Sequence, residues 1–82
     1  MYLHIGDNLS IPINSIITMI HADSGKSHRT GISYYDAEVI NVVPEDKIKT
    51  YIVTDDCVYA SGISLKTLKK RIDEFYSILK NK

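Results

Sequence analysis

The last third of the chain constrains the fold most. Leu65, Leu68, Ile72, Phe75, Tyr76 and Leu79 recur three or four residues apart and form one apolar stripe. That spacing predicts a helix over about residues 65–80, lying on something apolar. Ser64 stands just before it as an N-cap, a residue whose hydroxyl accepts a backbone N–H of the first turn. A helix with one apolar stripe needs a partner surface, and the rest of the sequence offers mainly strands to supply it.

Those strands read as short runs. In "MYLHI" Leu3 and Ile5 alternate with Tyr2 and His4, "GDN" at 6–8 is turn chemistry, and "LSIPI" alternates again through Leu9, Ile11 and Ile13. This is a hairpin by pattern. Pro12 has no N–H for a ladder, so its strand is expected to be an edge strand there or to carry a break. A tight corner at Asn14–Ser15 leads into the unbroken apolar run "IITMI" (16–20), whose β-branching predicts a buried strand. Residues 21–33, "HADSGKSHRTGIS", lack periodicity and read as a mobile loop that ends in a short helix around Ser27–Ala37. "EVINVV" (38–43), "KTYIVT" (49–54) and "CVYAS" (57–61) read as strands, separated by turns at "PEDK" (44–47) and "DD" (55–56). Tyr51 and Val53 are expected to face one way, Ile52 and Thr54 the other. The class is α+β: one domain over residues 1–82, a small β-meander of about five to six short strands covered by a C-terminal amphipathic helix.

A chain of 82 residues buries only roughly 60–65% of its unfolded surface. Cores this small are often supplemented by disulfides, metal or oligomerisation. The single cysteine, Cys57, excludes a disulfide framework, and with three scattered histidines it makes no zinc site. Oligomerisation is the supplement left. No apolar run reaches the 18 or so residues of a membrane span, and the chain does not start as a signal peptide does. The expectation is therefore a cytoplasmic protein with no membrane partner.

Catalysis fits the residues poorly. Cys57, in an apolar strand, reads as a buried inert thiol rather than a nucleophile. His4 reads as a surface or interface side chain. His21 and His28 flank the loop with no carboxylate at a diagnostic spacing. "DSGKS" (23–27) lacks the first glycine of a phosphate loop, because residue 20 is Ile. Asp55 and Asp56 supply turn geometry. No enzyme, cofactor or metal is expected.

Charge points elsewhere. Ten basic and ten acidic residues cancel, yet residues 1–46 carry two bases against six acids and residues 47–82 eight bases against four acids, net −4 and +4. Such asymmetry suggests an anionic partner, or pairing between identical subunits. Lys66, Lys69, Lys70 and Arg71 sit in the first turns of the helix, where the macrodipole disfavours cations by a few tenths of a kcal/mol each. Lys66, Lys69 and Lys70 share a broad face with Asp73, Ser77 and Lys80, and Arg71 lies nearer the opposite flank. Lys69–Asp73 and Lys70–Glu74 are i,i+4 pairs in the weaker order, base first. Lys47 and Lys49 bracket the entrance to the central strand, and with the loop bases Lys26 and Arg29 they complete a discontinuous basic surface. Tyr34 and Tyr35 are aromatic candidates at a base or subunit contact. Basic surfaces of this kind bind phosphates without sequence preference and with strong salt dependence.

Three stretches, "YLHIGDNLSIPINSIITMI", "TYIVTDDCVYASGIS" and "KTLKKR", resemble the small bacterial RemA/RemB family of extracellular matrix regulators, the RemB branch in particular. Shared features are the LHIG opening, a VP-like pair at Ile11-Pro12, a V-T-D strand end, a V-Y strand and an I-S…T-L-K-K-R helix start. The resemblance covers roughly residues 2–20 and 48–72, and no clear match is seen over 21–47. It implies a DNA-binding transcriptional regulator of biofilm-matrix genes, assembled as a closed homo-oligomeric ring of β-rich, LytTR-like subunits around which DNA wraps. A ring multiplies weak phosphate contacts by avidity. The family's regulators cluster arginines just before the central strand. Lys47 and Lys49 occupy two of those positions and Asp46 a third, while Ser15 stands where a further arginine precedes the early apolar strand. Lysine lacks the bidentate phosphate geometry of arginine, so the DNA face implied by the family is thinned here. The alternative is a structural or protein-interaction module of the same fold. Its basic helix start would pair with acidic residues of a neighbour, such as Asp7, Asp36, Glu38, Glu45 and Asp46.

Overall fold

The structure, a computed structural model, describes residues 1–22 and 38–80, without the side chains of Leu79 and Lys80. The loop expected after His21, the helix expected around Ser27–Ala37, and Tyr34 and Tyr35 lie outside the described residues apart from His21 and Ala22. Among the described residues, six short strands and one helix follow each other along the chain. They are β1 (Tyr2–Gly6), β2 (Leu9–Pro12), β3 (Ile16–His21), β4 (Val39–Asn41), β5 (Thr50–Thr54), β6 (Val58–Ser61) and α1 (Leu65–Lys80). The strands form two sheets rather than one: a β1–β2 ribbon and a four-stranded sheet in the order β3-β5-β6-β4.

The ribbon is built as its sequence predicts. Asp7 and Asn8 have φ of 48° and 64°, the left-handed pair of a two-residue hairpin turn that Asp and Asn tolerate best after glycine. Gly6, at φ 120°, takes a conformation that L side chains rarely adopt. The ladder shifts between His4 and Gly6, so Ile5 sits on a bulge. Pro12 pairs with Tyr2 in this two-stranded ribbon, consistent with the edge position expected of it.

The main sheet departs from a meander. β5 and β6 form an antiparallel hairpin, but β4 reaches β6 in parallel, Val39 opposite Val58. The strand expected over 38–43 is only three residues long, because Val42 leaves the ladder while its N–H still bonds Ala60 O at 2.9 Å. Pro44 opens a short 3-10 turn at Glu45–Lys47, where a plain turn was expected. Ile13–Ser15 is likewise a 3-10 turn. The "IITMI" run is a strand but not a buried one. It lies at the sheet edge, and a register shift between Ile16 and Thr18 leaves Ile17 unpaired and 64% exposed. An edge strand has one side without a neighbour, which the apolar pattern alone does not reveal.

β5 is buried along its whole length, and its two faces serve two cores. Tyr51 and Val53 pack with Ala22, Val58 and Ala60 on one side. Ile52 packs with Leu3, Ile5, Ile11 and Leu68 on the other, so the alternation expected at 51–53 holds. The second core is where the ribbon, the sheet and the helix meet, and Leu3, Ile5, Ile52 and Leu68 are all fully buried there. Burying one such side chain stabilises the fold by about 1.5–3 kcal/mol. Polar groups at this junction are matched. Ser61 Oγ donates to Ile5 O at 2.7 Å and accepts from Ile63 N at 3.0 Å, which ties the ribbon to the sheet end. Thr50 Oγ1 donates to Ile63 O at 2.8 Å. Thr54 Oγ1 closes the Asp55–Asp56 turn, accepting from Cys57 N at 3.1 Å and donating to Cys57 O at 2.8 Å. Cys57 is buried, as an inert thiol would be. A hydrogen bond with Cys57, then burial, raise the Tyr59 hydroxyl above its ordinary range, with smaller contributions from the charges of Cys57 and Asp56.

Candidate nucleic-acid interface

The basic residues singled out in the sequence fall into three places. Lys47 ends the 3-10 turn after Pro44, and Lys49 leads into β5. Both are exposed. Because Lys49 N bonds Ser61 O at 2.8 Å and Lys49 O accepts from Ala22 N at 2.9 Å, the backbone of this residue is pinned to β6 on one side and to the end of β3 on the other. Its side chain is thereby set at the rim of the sheet. Lys47 and Lys49 line one cavity of about 360 Å³ together with His21, Ala22, Asp46, Ile48 and Ser64.

The second group rides on the helix. Ser64 is its N-cap: Oγ accepts from Thr67 N at 3.2 Å and donates to Thr67 Oγ1 at 2.9 Å, while Ser64 O accepts the first helical bond from Leu68 N at 3.0 Å. With Leu68 pointing into the core, Lys66, Lys69 and Lys70 are exposed on the outer side. They line a shallow groove with Asp73, Glu74 and Ser77. The i,i+4 pairs are not closed: among the described residues, no ion pair engages these lysines. Ser64 borders the Lys47–Lys49 cavity and Lys66 follows two residues later, but the two lysine groups line separate cavities with no residue in common.

Arg71 belongs to neither group. Its Nη1 donates to His4 O at 3.0 Å and lies 3.5 Å from His4 Nδ1, which clamps the helix to β1. Tyr2, Leu3, Ser10, Glu74, Phe75 and Ile78 surround it in a separate cleft of about 320 Å³. Lys26 and Arg29 lie outside the described residues. Of the acidic residues, Asp7, Glu38, Glu45 and Asp46 are exposed, and Asp46 shares the cavity with Lys47 and Lys49. Ser15 is a structural residue, its Oγ donating to Pro12 O at 2.7 Å.

One residue of the cavity escapes sequence reasoning. His21, the last residue of β3, faces it because the antiparallel register sets His21 opposite Thr50. It lies twenty-five positions before Asp46 in sequence, and only the strand pairing brings them together.

As chemistry, the arrangement offers exposed ammonium groups at one sheet end and along one helix face, which suits anions spread over a distance. Among the described residues no helix is long and apolar enough to cross a membrane. No curated protein matches the chain. A family model does, that of the RemA-like proteins, described as extracellular matrix regulatory protein A-like, and the match spans residues 2–72. The chain belongs to the RemA-like family of extracellular matrix regulators.

Proposed function

We propose that this protein is a non-enzymatic, cytoplasmic regulator of extracellular matrix genes that binds duplex DNA as a homo-oligomer, a ring of identical subunits. Lys47 and Lys49 contact phosphates, and Lys66, Lys69 and Lys70 extend the contact along the helix. The observation that carries this reading is the convergence of Lys47 and Lys49 at one sheet-end cavity, in a chain of a regulator family. A net charge of zero weakens the long-range attraction of a single subunit for DNA, and repetition around a ring offsets this by avidity. Exposed apolar side chains support self-association: Tyr2, Ile17 and Ile78 are 63%, 64% and 60% exposed. Arg71 contributes least to DNA in this reading, since its guanidinium is engaged with β1.

A scaffold subunit that binds no DNA is the second reading. The open lysines of α1, beside exposed acidic residues on the rest of the chain, favour it.

The test is a titration of the purified protein against labelled duplex at three salt concentrations, on samples whose mass is fixed by light scattering. The expected result is an oligomer whose log affinity falls steeply with log salt, by about 0.9 per phosphate contact. An intact oligomer that binds no duplex even at low salt rejects the DNA reading and leaves the scaffold.

A further inference from the structure

The cavity at the sheet end holds a histidine as well as its two lysines. Among the described residues, the groups facing it are His21 from β3, Asp46 and Lys47 from the 3-10 turn, Lys49 from the lead into β5, and the uncharged Ser64 at the helix start. Two ammonium groups against one carboxylate leave a single net positive charge. A proton on His21 doubles it. Imidazole is the side chain most often used as a proton-dependent cation. The ring is exposed at the rim, and no ion pair with Asp46 consumes it among the described residues.

Resting on the DNA reading, we infer that His21 is a further phosphate contact of the Lys47–Lys49 site, active only as the imidazolium, and that it makes duplex binding proton-linked. Binding and protonation then favour each other by the same factor. A phosphodiester seated between Lys47 and Lys49 raises the proton affinity of His21, and a proton on His21 strengthens the hold on the phosphate. Asp46 enlarges the relative effect: with His21 neutral, its carboxylate offsets one of only two cations. Affinity accordingly falls as pH rises.

The experiment measures the affinity of the oligomer for a labelled duplex from pH 5.5 to 8 at constant ionic strength, with salt titrations at both ends. It compares the wild type with His21→Gln and His21→Arg. The wild type should bind several-fold tighter at the acid end. Its salt slope should be steeper there by about 0.9 for each subunit that touches the duplex. His21→Gln should hold the weak, shallow-slope behaviour at every pH, and His21→Arg the tight behaviour. Retention of the full pH dependence by His21→Gln, with steep salt dependence in every variant, overturns the role of His21 and leaves DNA binding standing. Absence of binding by all three proteins at low salt and acid pH, with mass unchanged, overturns the DNA reading and this inference with it.

Discussion

At the scale of single residues, a few buried polar groups hold the parts of the fold together. Ser61 is fully buried and serves the ribbon and the sheet end at once. Ser61→Ala strands the Ile5 carbonyl and the Ile63 N–H, and should cost about 1–3 kcal/mol, read as a lower urea midpoint. Tyr59 gives a pH signature. A tyrosine whose folded pKa lies above its unfolded value contributes stability that is complete below the unfolded value and lost as pH rises through the folded one. The Tyr59 contribution should therefore fade above about pH 10. Tyr59→Phe should lose less stability than wild type between pH 8 and pH 10.5 in parallel urea melts. An equal loss in both proteins would remove the Cys57 bond from the account.

At the scale of elements, legibility followed periodicity. The helix has the bounds its apolar stripe predicts because one face meets a continuous core. Among the described side chains of the stripe, Tyr76 stays outside, 51% exposed, since it lies at the margin of the arc centred on Leu68 and Ile72. Leu68→Ala should cost about 2–5 kcal/mol, and Ser64→Ala about 1 kcal/mol through the lost N-cap, both measurable by denaturation followed by circular dichroism. Strands were legible as elements, whereas their neighbours were not. The parallel β4–β6 pairing and the edge position of β3 depend on a chain crossover that no local pattern encodes. The same reason divides the candidate site. Lys47 and Lys49 stand together before a legible strand, so their common place at the strand entrance could be read from spacing, but the cavity they line could not. His21 joins them only through the β3–β5 register. Arg71, grouped with the helix lysines in sequence, is separated from them by about 100° for each step along the helix and is held by His4 O instead.

At the scale of the whole molecule, the central claim is a division of labour. In the proposed function, apolar surfaces assemble copies of the chain, and the Lys47–Lys49 end and the lysine face of the helix meet DNA. Charge reversal separates this from the scaffold reading, because the two assign the helix lysines to different partners. The most direct measurement compares Lys47→Glu/Lys49→Glu and Lys69→Glu/Lys70→Glu with wild type, recording mass by light scattering and duplex affinity at low salt on the same samples. The account predicts that both variants keep the wild-type mass, that both bind DNA more weakly, and that the Lys47/Lys49 change has the larger effect. A Lys69/Lys70 variant that falls apart into smaller species, or a Lys47/Lys49 variant that binds duplex as tightly as wild type, would contradict it.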